Sequence, residues 1–295
     1  TVTLSFAHPG PRKVRGMTTT QQLRARGLAH LGLWSAYPGR THPGRLRWVP
    51  AVVGLALVLV AWFAVTAAGA VDPLYLPGPL DVAARMAEQA RLGIAWRYLA
   101  PTLAAALAGA AIALAVALPL GVAVSHSRLL AAVLEPVIAF SQTVPLVAVA
   151  PLLVLWIGYG TVPIAVLCAI VAFFPMVTTT IVGLRGLDMR VIEHSLLDGA
   201  GVWQRLWHIE LPMAAPAVLA GVRGGLVLAT TGAVVGEMVM GGSGLGTLLT
   251  LSREAADTAA VFAVVAWISL AAMTLYYLVQ LAERAAVARL QGEDS

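Results

Sequence analysis

The stretch 99-LAPTLAAALAGAAIALAVALPLGVAV-124 contains no ionisable side chain and is long enough to cross a bilayer as a helix. A helix rises about 1.5 Å per residue, so about 20 apolar residues cross the hydrocarbon core of a membrane. Similar runs recur along the chain, in which 59% of the 295 residues are hydrophobic and only 11% are charged. Soluble domains carry about 25% charged residues. The sequence therefore predicts an all-α, polytopic membrane protein.

The apolar runs predict about six transmembrane helices. The predicted spans are Trp48–Val71, Leu99–Val124, a third span from about residue 136 to Trp156, Val162–Leu184, Ala214–Met240 and Ala259–Leu281. Between the first two spans, Asp72–Arg97 contains prolines and a short amphipathic stretch, which predict a loop and a surface helix outside the membrane. Residues 1–47 are predicted to be a largely unstructured tail, 48–285 the transmembrane domain and 286–295 a C-terminal tail.

Basic residues are concentrated on one side of the predicted spans. The residues that precede the first span include Arg12, Lys13, Arg15, Arg24, Arg26, Arg40, Arg45 and Arg47, and no Asp or Glu occurs before Asp72. Cytoplasmic segments of membrane proteins carry such an excess. We therefore predict that both termini and the loop after the fourth span are cytoplasmic. The net charge of +5 is explained by this bias, so lipid rather than nucleic acid is the expected partner.

Several kinds of chemistry are not supported by the sequence. It contains no GxxxxGK[ST] phosphate-binding motif, and its one lysine is Lys13. Its histidines and its one cysteine, Cys168, show no metal-ligand spacing. The glycine-rich stretch Gly242–Gly246 lacks GxGxxG spacing and is predicted to form a turn or a partner contact. We predict no metal site, no cofactor and no enzymatic activity in this chain.

The longest polar stretch after the tail runs from Arg185 to Pro216. Gly199 and Gly201 allow a sharp bend there. A short helix around Trp203 is expected to follow, and Pro212 is expected to break the chain away before the next span. Such a helix-turn-helix on a membrane surface could be gripped by another protein.

This stretch resembles the EAA loop of the permease subunits of binding-protein-dependent ABC importers. That pattern is Glu-Ala-Ala, three residues, Gly, nine residues, Ile, one residue and Leu-Pro. The residues that match at this spacing are Glu193, Gly199, Ile209, Leu211 and Pro212, whereas His194 and Ser195 replace the two alanines. The resemblance implies a MetI-like ABC permease fold in which this loop couples to a separate ATPase. The coupling residues that it implies are Glu193, Asp198, Gly199, Ala200, Gly201, Ile209, Leu211 and Pro212.

Two other stretches resemble the nitrate, sulfonate, taurine and vitamin-precursor branch of these permeases. They are Gln142–Leu153, and Gly236-Glu237-Met238 followed by Gly242–Gly246. The resemblance covers about residues 93–284. It implies a bacterial inner-membrane permease that works with a pair of cytoplasmic ABC ATPase subunits, which bind ATP, and with an extracytoplasmic solute-binding protein. We expect a permease homodimer, with a heterodimer as the alternative. The solute remains open among an oxyanion, a sulfonate and a pyrimidine or flavin vitamin precursor.

Polar residues inside the predicted spans are candidates for the translocation pathway. Arg223, Thr230 and Glu237 recur every seven residues on one face of the fifth span, and the two charges lie too far apart to pair with each other. The opposite face is small: Gly221, Gly225, Ala229, Gly232 and Gly236. Gln142 and Thr143 lie inside the third span. We predict that these five polar residues line the pathway; snorkelling charges and interhelical hydrogen bonds are the alternatives.

Two other functions remain open at this point. A stand-alone secondary transporter or channel would move solute without any ATPase, and the long EAA-like loop argues against it. A membrane-embedded enzyme would need a cluster of charged or metal-binding residues inside the membrane, which the apolar runs do not contain.

Overall fold

The computed structural model describes residues 48–292, so the predicted tail at 1–47 and residues 293–295 lie outside the described residues. The chain divides into two units, with the boundary between Val58 and Leu59. Of the first unit, the structure describes only an apolar helical segment that begins at Trp48. All the contacts considered below lie within the second unit.

The described chain is helical, and no strand occurs between residues 48 and 292. The helices are α1 (Trp48–Ala67), α2 (Pro79–Arg91), α3 (Ile94–His126), α4 (Arg128–Ser141), α5 (Leu146–Ile157), α6 (Thr161–Arg185), α7 (Met189–Leu197), α8 (Val202–Arg205), α9 (Leu211–Met240), α10 (Leu245–Glu254) and α11 (Thr258–Gly292). A π-helical turn, Leu206–Glu210, joins α8 to α9. The all-α prediction is therefore confirmed.

Four helical segments in the described part of the chain are long and apolar enough to cross a membrane. They are Ile94–His126, Thr161–Arg185, Val202–Met240 and Thr258–Arg284. These segments contain the second, fourth, fifth and sixth predicted spans. The first and third predicted spans correspond to shorter apolar helical segments, Val52–Ala67 and Val147–Ile157. Helix α11 continues to Gly292, so the predicted C-terminal tail begins as part of that helix.

The prediction that the third span is one helix is wrong. Helix α4 ends at Ser141 and α5 begins at Leu146. The break has a physical cause: Pro145 lacks a backbone N–H and disfavours helical geometry in the residue before it. The Thr143 N–H donates to the Phe140 carbonyl at 3.0 Å, which closes a tight turn. Non-helical backbone at membrane depth is tolerated where protein buries it or where it lines a cavity.

Helix α6 lies at the centre of the second unit, with α3 and α9 both packed against it. On the α3 side, a Cβ atom at Gly109 would lie 2.6 Å from the Ala165 carbonyl oxygen and 2.9 Å from the Ala169 nitrogen, so only glycine fits. On the α9 side, the predicted small-residue face is buried, and its glycines contact α6. The prediction of a small-residue packing face is therefore confirmed.

Helix α2 is the surface helix that the sequence predicts between the first two spans, and it packs on α11. The Trp267 indole N–H donates to the buried Gln89 side chain at 3.1 Å. Arg85 pairs with Glu88 and with Asp257 at the start of α11. Hydrogen bonds to Glu88 and Asp257 raise the pKa of the Arg85 guanidinium, so Arg85 stays charged.

The packing of α9 on α6 can be tested with two neighbouring glycines. A Cβ atom at Gly225 would lie 2.7 Å from Met176 Cε and 3.0 Å from the Ala172 carbonyl oxygen, whereas one at Gly224 would meet nothing within 4 Å. We expect Gly225→Ala to lower the free energy of unfolding by about 1–3 kcal/mol, because overpacking forces the helices apart. Gly224→Ala should be neutral or stabilising by up to about 1 kcal/mol.

The measurement is the thermal unfolding midpoint of each purified variant in the same detergent. Equal midpoints for Gly224→Ala and Gly225→Ala would contradict the close approach of α9 to α6.

Candidate functional site

The EAA-like loop folds as a helix, a tight turn and a second helix. Helix α7 ends in a Schellman motif, in which the Gly199 N–H donates to the Leu196 carbonyl at 3.1 Å and the Ala200 N–H donates to the Ser195 carbonyl at 3.0 Å. Gly199 has φ +80°, a conformation that favours glycine. The bend predicted at this position is present.

The second half of the loop differs from the sequence expectation. The Gln204 side chain accepts a hydrogen bond from the Gly201 N–H at 3.1 Å, which starts α8. The chain then stays helical through the π turn and past Pro212 into α9, so the expected break at Pro212 is wrong. The π turn explains this outcome. Its hydrogen bond reaches back five residues, from the Leu211 N–H to the Leu206 carbonyl, and interrupts the regular ladder just before Pro212, which therefore follows without ending the helix.

The predicted coupling residues lie on the surface of this loop or just beneath it. Glu193, Asp198, Gly199 and Gly201 are exposed, and Ala200, Ile209, Leu211 and Pro212 are half-buried. Large apolar side chains flank the turn and are also exposed: Leu196, Leu197, Val202 and Trp203. We call these four residues the loop patch. A clustered apolar surface of this kind is typical of a protein or membrane contact.

Glu210 ties the loop to the end of α3, and sequence reasoning missed it. Its side chain is only 6% exposed. Arg205 Nε donates to one carboxylate oxygen at 2.6 Å, and His126 Nε2 lies 2.7 Å from the other. The only signal in the sequence was an acidic residue between Ile209 and Leu211, just before a predicted span. Because its partners come from two helices, Glu210 fixes the loop relative to α3.

A cavity of about 490 Å³ lies beside the break between α4 and α5. Its polar lining residues are Ser141, Gln142, Thr178 and Thr179, and its other lining residues, including Phe174, are apolar. Gln142 therefore lines a cavity, and its role in a pathway stays a prediction. Thr143 does not line the cavity, and its hydroxyl donates to the Phe140 carbonyl at 2.7 Å. The threonines come from α6, where a polar run inside an apolar span was the available signal.

The predicted pathway face of α9 has partners within the chain. Arg223 donates to Glu283 of α11 at 3.1 Å, and its guanidinium carbon lies 4.9 Å from the centre of the Tyr276 ring. Thr230 and Glu237 are buried. These contacts favour interhelical hydrogen bonding and pairing for this face. The role of Arg223, Thr230 and Glu237 in a pathway stays a prediction.

The cluster around Glu210 can be tested by protease access to the loop. Glu210→Ala would leave the Arg205 charge without its carboxylate, and breaking such a buried pair costs about 3–5 kcal/mol. We expect the loop to loosen and trypsin to cleave after the exposed Arg190 several-fold faster. Glu193→Ala removes an exposed acid from the same loop and is the matched control. Cleavage at the same rate in both variants would show that Glu210 does not hold the loop.

Known proteins resemble this chain over most of its length. Residues 113–291 match the family described as binding-protein-dependent transport system inner membrane component. The riboflavin transport system permease protein RibX of Chloroflexus aurantiacus is 42% identical over 243 residues, which are 81% of this chain and 90% of that protein. The taurine transport system permease protein TauC of Escherichia coli is 29% identical over 264 residues, which are 85% of this chain and 94% of that protein.

The fold also matches a solved structure. A chain of the MetNI methionine ABC transporter, in an inward-facing conformation, superposes with a TM-score of 0.59 at 18% identity, over 64% of this chain and 94% of that chain. This likeness concerns the fold alone, and it confirms the expected MetI-like architecture. The matched residues, 113–291, include the EAA-like loop, the residues that line the cavity, and Glu210 and Glu237. The chain belongs to the binding-protein-dependent transport system inner membrane components, the permease subunits of ABC importers for small solutes.

Proposed function

We propose that this permease imports an uncharged heteroaromatic solute of the flavin class. The observation that carries the proposal is the chemistry of the cavity beside the α4–α5 break, because none of its lining residues is ionisable. Sites that bind oxyanions such as sulfonates generally supply Arg or Lys side chains or several convergent backbone N–H groups. The lining of this cavity supplies hydroxyl and amide groups instead.

The cavity also suits a ring with hydrogen-bonding substituents. Its volume of about 490 Å³ lies in the range of small-molecule sites. Phe174 offers an aromatic surface, and Gln142 and Thr178 offer donors and acceptors for carbonyl and hydroxyl groups. The Thr179 hydroxyl donates to the Pro175 carbonyl at 2.7 Å, so it offers an acceptor only. The 42% identity to a permease named for riboflavin transport supports the same class. Taurine is a charged sulfonate, and TauC is less similar at 29%.

The energy for import would come from a separate cytoplasmic ABC ATPase pair that binds ATP. The loop patch supports this part of the proposal, because it exposes apolar side chains around a rigid glycine turn. Arg185, Arg190 and Arg205 lie in or next to the same loop, as expected of a cytoplasmic segment. ATP-driven movement of α7 would reach α9 through the continuous helix from Val202 and would reach α3 through Glu210.

Two copies of the chain would enclose the pathway. Gln142 lines the cavity and is exposed in the single chain, so a second copy could cover it and bring its own Gln142 to the same space. An extracytoplasmic solute-binding protein would deliver the solute. Transport would then proceed by alternating access, in which nucleotide binding shifts the populations of two states of the helices.

The loop assignment is tested by Gly199→Arg. A side chain at φ +80° costs on the order of 1 kcal/mol, and arginine would also project into a partner's groove. We expect less ATPase to co-purify with the permease and uptake to be lost, while membrane insertion stays normal. Gly201→Ala is the control, because Gly201 has φ −66° and room for a Cβ atom. If the ATPase co-purifies with Gly199→Arg as it does with the wild type, and uptake is full, the assignment of this loop as the coupling element is wrong.

The solute assignment is tested by uptake of labelled riboflavin and taurine into cells that express the complete transporter. Wild-type cells should accumulate riboflavin. Gln142→Glu places a charge in the cavity without changing its shape. We expect uptake to fall on the order of tenfold, because an uncharged solute that enters the cavity would have to displace water from a carboxylate that no lining residue pairs with. Gln142→Met is the uncharged control and should keep most of the uptake.

Two outcomes would contradict this assignment. Saturable taurine uptake without riboflavin uptake would exclude the flavin class. Equal uptake in Gln142→Glu and Gln142→Met, at equal amounts of complex, would show that solute does not meet this cavity.

A further inference from the structure

A buried carboxylate and a glycine-rich turn meet at the end of α9, and the proposed function uses neither. Glu237 is only 3% exposed. One of its carboxylate oxygens accepts a hydrogen bond from the Gly246 N–H at 2.8 Å. The Thr102 hydroxyl of α3 lies 2.9 and 3.0 Å from the two oxygens. The carboxylate therefore contacts two helices other than its own.

Thr102 is the centre of this network. It is fully buried, and its hydroxyl oxygen accepts a hydrogen bond from the Leu245 N–H at 2.8 Å. Since the Leu245 N–H occupies a lone pair of the hydroxyl, the hydroxyl proton is available to Glu237, its nearest acceptor. Thr102 and Glu237 thus satisfy the first two backbone N–H groups of α10, which have no partner within that helix.

The glycines of the turn make this contact possible. A Cβ atom at Gly244 would overlap the Glu237 carboxylate, and one at Gly246 would lie 2.8 Å from Glu237 Cβ. Side chains at these positions would push the N-terminal end of α10 away from α9. The positive end of the α10 dipole also faces the carboxylate, which favours a negative charge there. The spacing of Gly244, Gly246 and Glu237 is therefore explained by one intramolecular contact.

Helix α10 is short and packs against α9, α11 and α3. Its Ser252 is 7% exposed, whereas Glu254 on the same helix is exposed. One side of α10 therefore packs against the neighbouring helices, and the opposite side is exposed. Ser252 lies seven residues after Leu245, on the same buried face of α10, so it becomes accessible if α10 as a whole moves off its neighbours.

We propose that Glu237 is a positioning residue that clamps α10 to α3 and α9, so that the three helices move as one unit during transport. This inference rests on the proposed function for its effect on uptake, but the clamp itself does not depend on which solute is carried. In this proposal the Glu237 carboxylate stabilises the packing of α10 and does not line the pathway. If Glu237 lines the pathway, its substitution should leave α10 in place. If Glu237 clamps α10, its substitution should loosen α10.

The test uses the complete transporter in cells, in a Cys168→Ala background, with an impermeant maleimide added at both membrane faces in matched preparations. Ser252→Cys reports release of α10, and Glu254→Cys is the exposed reference. Glu237→Ala should raise the labelling rate of Ser252→Cys on the order of tenfold. Glu237→Gln, which keeps a carbonyl acceptor for the Gly246 N–H, should raise it less. Met238→Ala, at a partly exposed neighbour, should not change it.

Uptake is measured beside labelling in each variant, so that a clamp can be told from a pathway residue. The clamp predicts that uptake falls in the same order as labelling rises, from Met238→Ala through Glu237→Gln to Glu237→Ala. Thr102→Val, which removes the shared hydroxyl, should also raise labelling and provides the test if Glu237→Ala does not assemble. Unchanged labelling in Glu237→Ala or Thr102→Val would overturn the clamp, and lost uptake with unchanged labelling would point to the pathway instead. Failure of riboflavin uptake in the wild type, with labelling as expected, would overturn only the solute assignment.

Discussion

The close approach of α3 and α9 to α6 is the constraint on which the rest of the structure depends. Lipid is as apolar as leucine, so helices in a membrane gain little from burying apolar surface against each other and rely on close packing. Glycines supply that packing here: Gly109 of α3 meets the backbone of α6, and Gly225 and Gly232 of α9 meet α6 side chains. With three long helices held at short distance, their ends become fixed points for the shorter elements.

Each end of this three-helix frame carries a buried carboxylate, and the two are partnered differently. Glu210 is held by Arg205 and His126, so it joins side chains of the loop and of α3. Glu237 is held by a backbone N–H and a hydroxyl. Charged side-chain partners can separate and re-form as a loop moves, whereas backbone N–H groups at a glycine turn allow one geometry. The end at Glu210 is thus suited to transmitting motion and the end at Glu237 to resisting it.

Local patterns in the sequence predicted the long helices, the small-residue face of α9 and the turn at Gly199, because each depends on residues near in the chain. The break in the third span was missed because apolar residues on both sides of Gln142–Pro145 dominate the average hydropathy of that run. The contact of Glu237 with Thr102 could not be found, since the two residues lie 135 positions apart. Likewise, the partner of Arg223 could not be found, since Glu283 of α11 lies 60 residues away in the sequence.

The break between α4 and α5 places Gln142 beside α6, whose Phe174 and Thr178 help to line the uncharged cavity. Pro145 interrupts the helix, and the turn satisfies only part of the backbone, through the Thr143 and Val144 N–H groups. The Gln142 amide therefore borders the cavity, whose lining contains no ionisable group. If this cavity belongs to the pathway, as we propose, it can bind a solute weakly and release it, which transport requires. Strong discrimination among solutes would then lie with the protein that delivers them, and the permease would contribute by excluding charge.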